Sequence, residues 1–528
     1  MLHTQTYFNP VVSGYYPDPS VVRVGEDFYM VNSSFEFFPG VPLSHSKNLV
    51  NWEPVGHCLS RQSQLPLENA AVSTGILAPT IRYHKGTYYM ITTNLTALIQ
   101  KGVGNFLVTA ADPREEWSDP VWIRHEGIDP SLFFDEDDKV YYCGTGFDEN
   151  GQAIVLFEID VKTGNILSEK KSISYGCCGK CPEAPHIYKK DGMYYLLLAE
   201  GGTEYGHMVT VQRSENIWGP YESCPHNPVL THRNYNSEPI QCVGHGDLFD
   251  DQNGNWWMVV LGTRNTNVQL HHLGRETFLV PVAWENGWPL VKTGKVSLQM
   301  EACLPGKAEE RPLKFETSFC EDKVPAEFNF VRNPENRYKW DTENRCLVID
   351  GNDTGLSEDL KSPSFIGIRQ KDFCGSVICR MDTDLMPGTK AGVCVYYMHT
   401  HHYDLYLTKK DDSYCIELNK CIYDFEAVEK SVVLKEEELK TGELWLKIES
   451  DEDYYTFSYS SDGENYKKIG KGMTAAMASE ATEVTTFTGT YFGMFAQNGK
   501  GKFNHFSYQW KESAKSERFQ QGMVYPDE

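Results

Sequence analysis

Three acidic side chains and one histidine stand in short, turn-rich motifs that lead into strand-like runs. They are Asp18 in YPDPSVV (16–22), Asp129 in GIDPSLF (127–133), Glu183 in CPEAPHI (181–187) and His245 in GHGDLFD (244–250). A pair of carboxyls suits hydrolysis of a glycosidic bond, where one acid protonates the leaving oxygen and one base activates water. Asp18 and Glu183 are the candidates for those two roles. Each residue alone also has a plainer explanation. Asp-Pro is a common turn dipeptide, which would account for Asp18 and Asp129. Glu183 between two prolines reads equally as an exposed loop residue, and His245 between glycines as a hydrogen-bonded structural one. The two explanations part on whether these residues face one another.

The elements around them say that they do. A strand rich in paired aromatics recurs five times, each time after an acidic or glycine-containing turn: EDFYMVNSS, KGTYYMITT, DKVYYCGTG, DGMYYLLLA and GNWWMVVLG. The second aromatics are Tyr29, Tyr89, Tyr142, Tyr195 and Trp257, spaced 53–62 residues apart. A period of that size in an all-β chain predicts propeller blades of about four strands each, five of them within residues 1–300. Each of the four motifs, and ILAPTI (76–81) in the second repeat, lies 11–13 residues before its aromatic. These segments therefore become the innermost strands of equivalent blades, and Asp18, Ala78, Asp129, Glu183 and His245 form a ring about one cavity. Charged groups gathered in such a ring are costly unless the cavity is wet and functional.

Composition changes near 299–313 (QMEACLPGKAEERPL) and the five-fold signature stops. Strands resume as FCGSVICRMDTDL, AGVCVYYMH, HYDLYLTKK, ELWLKIES, YYTFSYSSD, TYFGMFAQ and FNHFSYQWK, predicting a two-sheet, lectin-like sandwich (jelly roll) over 313–515. The last dozen residues are polar and are expected to fray. The net charge of −24 disfavours nucleic acid and anionic membrane and fits a saccharide, as do 30 Tyr and 11 Trp. The start, MLHTQTYFNP, has no basic region followed by an apolar run, and the most apolar stretches, such as 193–199, are too short to span a membrane. With 15 cysteines and no regular framework, reduced thiols and a cytoplasmic location are expected. Cys177, Cys178 and Cys181 lack a second pair at ligand spacing, so zinc is not expected.

At these residues the chain resembles the family 43 glycoside hydrolases, and among them the two-domain β-xylosidases. The likeness runs through NPVVSGYYPDPSVVRVGEDFYMVNSSFEFFPG, LHHLGRETFLVPVAWENGWP (270–289), SPSFIGIRQKDF (362–373) and FTGTYFGMFAQ (487–497). The resemblance implies a five-bladed propeller acting with inversion. It implies Asp18 as general base, Glu183 as general acid, and Asp129 as the residue that raises and orients that acid. It further implies that Phe35 walls the sugar subsite and that Arg275 bonds sugar hydroxyls. An ion pair of Arg275 with Glu276 is the alternative, disfavoured because strand neighbours point to opposite faces. No cofactor is needed for the chemistry, but a hydrated calcium ion near His245 is implied. Leu77 departs from the family pattern, standing in ILAP where many relatives have Trp; this removes a stacking surface and bears on the substrate.

The favoured reading is an exo-acting enzyme releasing terminal xylose from β-1,4-xylo-oligosaccharides. An α-L-arabinofuranosidase or bifunctional enzyme is the alternative, and a non-catalytic sugar-binding propeller is a third. An oligosaccharide is the expected partner, with self-association left open. Resemblance also makes Phe487, after the small-residue loop MTAAMASEATEVTT (473–486), a lid over the cavity; packing within its own sandwich is the alternative.

Overall fold

The computed structural model describes residues 3–266, 269–411 and 413–512. The expected sandwich limit at 515 and the fraying terminus lie outside them. Half of the structure is strand and 4% is helical.

Five antiparallel sheets come first, each following the chain order of its strands, with Phe37–Phe38 of the first stretch left out of its sheet. They begin with Ser20–Val24, Thr80–His84, Ser131–Phe134, Glu183–Lys190 and Ile240–Asp250, and each first strand forms a hairpin with the aromatic strand that follows it. The recurrent acidic or glycine turn has a backbone cause. Gly25, Gly86, Asp138, Gly192 and Gly254 all adopt positive φ between those two strands, as tight hairpin turns require. Each first strand touches the first strand of the next sheet, and that of the fifth touches that of the first.

The inner strands are tied by a buried ionic cluster. Asp247 on the fifth sheet accepts from Ser20 Oγ at 2.6 Å, from the Val21 amide at 3.1 Å, and from both Arg82 Nη atoms at 3.0 and 3.1 Å. Tyr188 donates to the same carboxylate, and Arg82 reaches His186 Nδ1 at 2.9 Å. Residues of four sheets thus converge on one fully buried aspartate. Gln5–Phe8 pairs with Gln299–Ala302, joining the start of this region to its end.

Two larger sheets follow. One contains Tyr338–Asp341, Cys346–Gly351, Gly499–Trp510, Gly375–Asp382, Glu443–Ser450, Tyr454–Ser460 and Lys467–Met473 in spatial order, and the other Phe365–Arg369, Tyr491–Gln497, Lys390–Met398, His401–Lys410, Ser413–Ile422 and Phe425–Val433. Alternate residues such as Val393, Leu405 and Ile416 meet Leu446, Phe457 and Phe506 in a shared core. All seven expected strands are present. The unexpected ones include Phe425–Val433, whose residues are mostly exposed and carry little alternation.

The two regions are bonded to each other. Phe37–Phe38 pairs with Phe330–Val331. Arg264, buried, reaches Glu276 at 2.7 Å and Asp372 of the sandwich at 3.0 Å.

Candidate functional site

The five aromatics Tyr29, Tyr89, Tyr142, Tyr195 and Trp257 pair across the hairpins with Val22, Arg82, Leu132, Tyr188 and Phe249. The ring residues precede those partners by three to five positions. Bulges between Glu183 and His186, and between Gly244 and Asp247, absorb part of the spread. The backbone also marks this layer. Asp18, Asp129 and His245 have φ of 52°, 55° and 49°, and Ala184, next to Glu183, has 48°. Positive φ is uncommon outside glycine, and such strain collects at functional sites.

Asp18 is buried and richly partnered. Ser33 Oγ donates to its Oδ2 at 2.6 Å, Arg275 Nη1 to Oδ1 at 3.0 Å and Nη2 to Oδ2 at 3.4 Å, and His245 Nδ1 lies 3.4 Å from Oδ1. Burial alone would raise its pKa, but Arg275, then His245 and the Ser33 bond, hold it below the ordinary carboxylate value. Asp18 is therefore ionised at neutral pH.

Glu183 is wired in the opposite sense. Among the described residues its one side-chain partner is Gln152 Nε2, which donates to Oε1 at 3.3 Å and also to Pro182 O. Burial, with the charge of Asp18, pushes its pKa up against that bond. Asp129 is raised as well, first by burial, then by Glu183 and Asp18, although the Ala184 amide donates to it. Among the described residues neither Asp129 nor Glu183 forms an ion pair. Burial is the largest cause for both; the charge that raises Glu183 is that of Asp18, whereas the repulsion between Asp129 and Glu183 acts on Asp129.

His245 is buried, and burial lowers its pKa, so the ring stays neutral beside Asp18. The side chains here do not fit a calcium ion held by the protein. Among the described residues the acid, histidine and cysteine atoms that converge within 4.8 Å belong to His402, Asp404 and Glu426 in the sandwich, not to His245. Both Asp247 oxygens are taken by Arg82, Ser20 and Tyr188. Cys177, Cys178 and Cys181 form no such group either, and all are free thiols.

Arg275 is committed to Asp18, to Thr203 Oγ1 at 3.3 Å and to Phe487 O at 3.4 Å; its buried Nε has no partner among the described residues. The guanidinium therefore stands beside Asp18. Glu276 pairs instead with Arg264. Phe35, Leu77 and Ile128 share an apolar cluster with Tyr15 and Phe37, and Phe487 packs against it. The Phe35 and Phe487 rings are 5.8 Å apart, and the Arg275 guanidinium carbon is 5.6 and 5.3 Å from their centroids. The Phe487 amide donates to Ser73 Oγ, whose own amide donates to Glu36. Phe487 thus leaves its sandwich and reaches the ring.

Sequence reasoning missed Ser33, Gln152, Thr203, Ser73 and Glu36. Ser33 lies within the first repeated strand, EDFYMVNSS, but serine does not recur at that position of the other four, and the remaining residues stand outside the repeated motifs. Cavity size does not mark the site: a cavity of about 850 Å³ between the two regions is lined by Trp52, Arg311, Tyr508 and Trp510, and by none of the ring residues.

Comparison with known proteins matches residues 7–289 to the glycosyl hydrolases family 43 and residues 316–512 to the beta xylosidase C-terminal concanavalin A-like domain. A non-reducing end alpha-L-arabinofuranosidase of Bacteroides ovatus is 38% identical over 96% of this chain and 95% of its own. A xylosidase/arabinosidase of Butyrivibrio fibrisolvens is 36% identical over 95% and 98%. The crystal structure of a xylan beta-1,4-xylosidase from Bacillus halodurans superposes with a TM-score of 0.88 at 30% identity, covering 95% of this chain and 100% of that one.

Proposed function

The chain belongs to family 43 of the glycosyl hydrolases, and we propose that it is an inverting, exo-acting enzyme that releases terminal xylose from β-1,4-xylo-oligosaccharides. It is a glycoside hydrolase of the xylosidase/arabinofuranosidase kind. One observation carries the mechanism: Asp18 accepts from Arg275 at 3.0 Å and from Ser33 at 2.6 Å, whereas Glu183 has no ion pair among the described residues and only the Gln152 amide at 3.3 Å, so that Asp18 is held ionised while Glu183 is pushed toward its protonated form. Opposite tuning of two carboxyls assigns base and acid. Asp18 takes a proton from water, which attacks the anomeric carbon, and Glu183 gives its proton to the leaving oxygen. Asp129 and Glu183 favour holding one proton between them, since two adjacent carboxylates resist double ionisation.

We read the five sheets as propeller blades within 1–300 and the sandwich as a second domain that supplies Phe487 to close one side. A closed pocket accepts one terminal sugar, which is what exo action needs.

The second reading, α-L-arabinofuranosidase action, rests on Leu77: an aliphatic wall beside Phe35 lacks the stacking face that an indole would offer. Parallel assays with nitrophenyl β-xyloside and nitrophenyl α-L-arabinofuranoside rank the two sugars; activity on neither would end both readings. Proton NMR of the first-formed sugar should show inverted configuration. Retention, or catalytic carboxyls only ~5 Å apart in a crystal, would exclude Asp18 as a base.

A further inference from the structure

Glu200 is fully buried, and the chemistry above does not use it. Its carboxylate accepts the amides of three consecutive residues: Cys177 at 3.0 Å, Cys178 at 2.8 Å and Gly179 at 2.7 Å. The Cys177 thiol donates to the same group at 3.3 Å, and Thr210 Oγ1 donates at 2.6 Å. A carboxylate saturated in this way acts as a fixed post, because every N–H it binds is a backbone donor with no other outlet.

The loop it holds ends in the acid. Gly176 turns with φ of 78° and packs so close that a Cβ there would lie 3.0 Å from Glu200 Oε2. Three amides of the loop then close on the carboxylate, and the Gly201 amide donates to Lys180 O at 2.7 Å. Cys181 turns with φ of 53°, and Glu183 pairs in register with Ala199, the residue before Glu200. Beyond Gln152, the Glu183 side chain has no polar partner among the described residues to fix it. Its place is set by its backbone, and that backbone is set by Glu200.

The geometry points to Glu200 as a positioning residue for the reaction, which holds the 176–183 loop so that Glu183 meets the leaving oxygen. This rests on Glu183 being the proton donor. Glu200→Gln keeps the size but turns one acceptor oxygen into an NH2 group facing N–H donors. Misplacing a catalytic group by about 1 Å can cost on the order of 10²-fold in rate.

The test compares 2,4-dinitrophenyl β-xyloside, whose leaving group needs little protonation, with xylobiose, whose leaving group needs it fully. In Glu200→Gln, kcat on xylobiose should fall by roughly 10²-fold with KM little changed, while kcat on the dinitrophenyl substrate stays near the parent's. Equal loss on both substrates, or no loss on either, would overturn the role. Should Glu200→Gln not fold, Thr210→Val removes one donor only. It should show the same selective loss at a several-fold level, and a uniform loss or none would again count against the proposal. Glu183→Ala serves as the control. If that variant is not selective for poor leaving groups, the acid itself is misassigned; if it is and the Glu200 and Thr210 variants are not, the positioning role alone fails.

Discussion

Asp247 and Asp129 both belong to the inner-strand layer of the first region, yet their surroundings are opposite. Asp247 receives a guanidinium, two hydroxyls and an amide. Burial would raise it, but Arg82, then His186, hold it far below the ordinary value. Asp129 has an amide from Ala184 and no ion pair among the described residues, with Glu183 and Asp18 as its charged neighbours. One cluster joins sheets, and its charge is cancelled where it arises. The other is left short of cations, which is the state a proton donor needs. The job of a buried carboxylate is therefore read from its partners rather than from its burial.

The largest effects should come from the two ends of this contrast within the ring. Asp18→Asn should lower kcat by about 10²–10⁴-fold on every substrate, because each needs activated water. Glu183→Ala should cost a similar factor on oligosaccharides and far less on activated aryl glycosides. The parent's pH profile should be bell-shaped. Activity falls on the acid side as Asp18 takes a proton, at a pH below the usual aspartate range. It falls on the alkaline side as Glu183 loses its proton, at a pH above the usual glutamate range. Matching leaving-group dependence in the two variants would show the roles to be misassigned.

Next in size is the structural cluster. Asp247→Asn leaves the buried Arg82 charge uncompensated, a change that costs about 3–5 kcal/mol of stability. The folded fraction should keep most of its activity, since Asp247 faces strand-joining groups rather than the substrate. Denaturant midpoints and kcat per folded molecule check the two halves of that statement; a stable but inactive variant would erase the distinction between the clusters.

Much of this contrast was legible in the sequence, and the reason is symmetry. Five repeats with a common aromatic make Asp18, Asp129, Glu183 and His245 equivalent by position, and hairpin turns at Gly25, Gly86 and Gly192 explain why the signature survives. The cations were not legible. Arg275 and Arg82 reach their aspartates across 257 and 165 residues, and no local spacing encodes such a meeting. The motif that carries Arg275 names a residue and not Asp18, its partner in the protein. Strands such as Phe425–Val433 were missed because exposure on both faces leaves no alternation to read.

Phe487 tests whether the ring is completed by the second region. Its ring meets Phe35 and Arg275, and it is only partly buried. Phe487→Ala should reduce kcat/KM by roughly tenfold, the scale of one lost apolar or cation–π contact, with little change in melting temperature. A core phenylalanine would instead cost about 3–5 kcal/mol, so a large fall in stability with unchanged activity per folded molecule would return Phe487 to the sandwich.

The smallest effect expected is a gain. Asp129 has a folded-state pKa raised by burial and by two carboxylates, so its ionised form is disfavoured in the native state. Below the unfolded aspartate value both states are protonated and nothing is lost. As pH rises past that value the unfolded chain ionises first, and the native state carries a growing penalty that levels off above the folded pKa. Asp129→Asn removes the charge while keeping the shape. It should therefore raise the melting temperature at pH 8, by an increment typical of one stabilising change, about 0.5–2 kcal/mol, and leave it unchanged near pH 3. Activity should fall at the same time, because Asn cannot exchange a proton beside Glu183. The same substitution at Asp247 has the opposite sign for stability. If Asp129→Asn instead destabilises the protein at pH 8, Asp129 is a bonded structural group like Asp247, and the two carboxylates are alike after all.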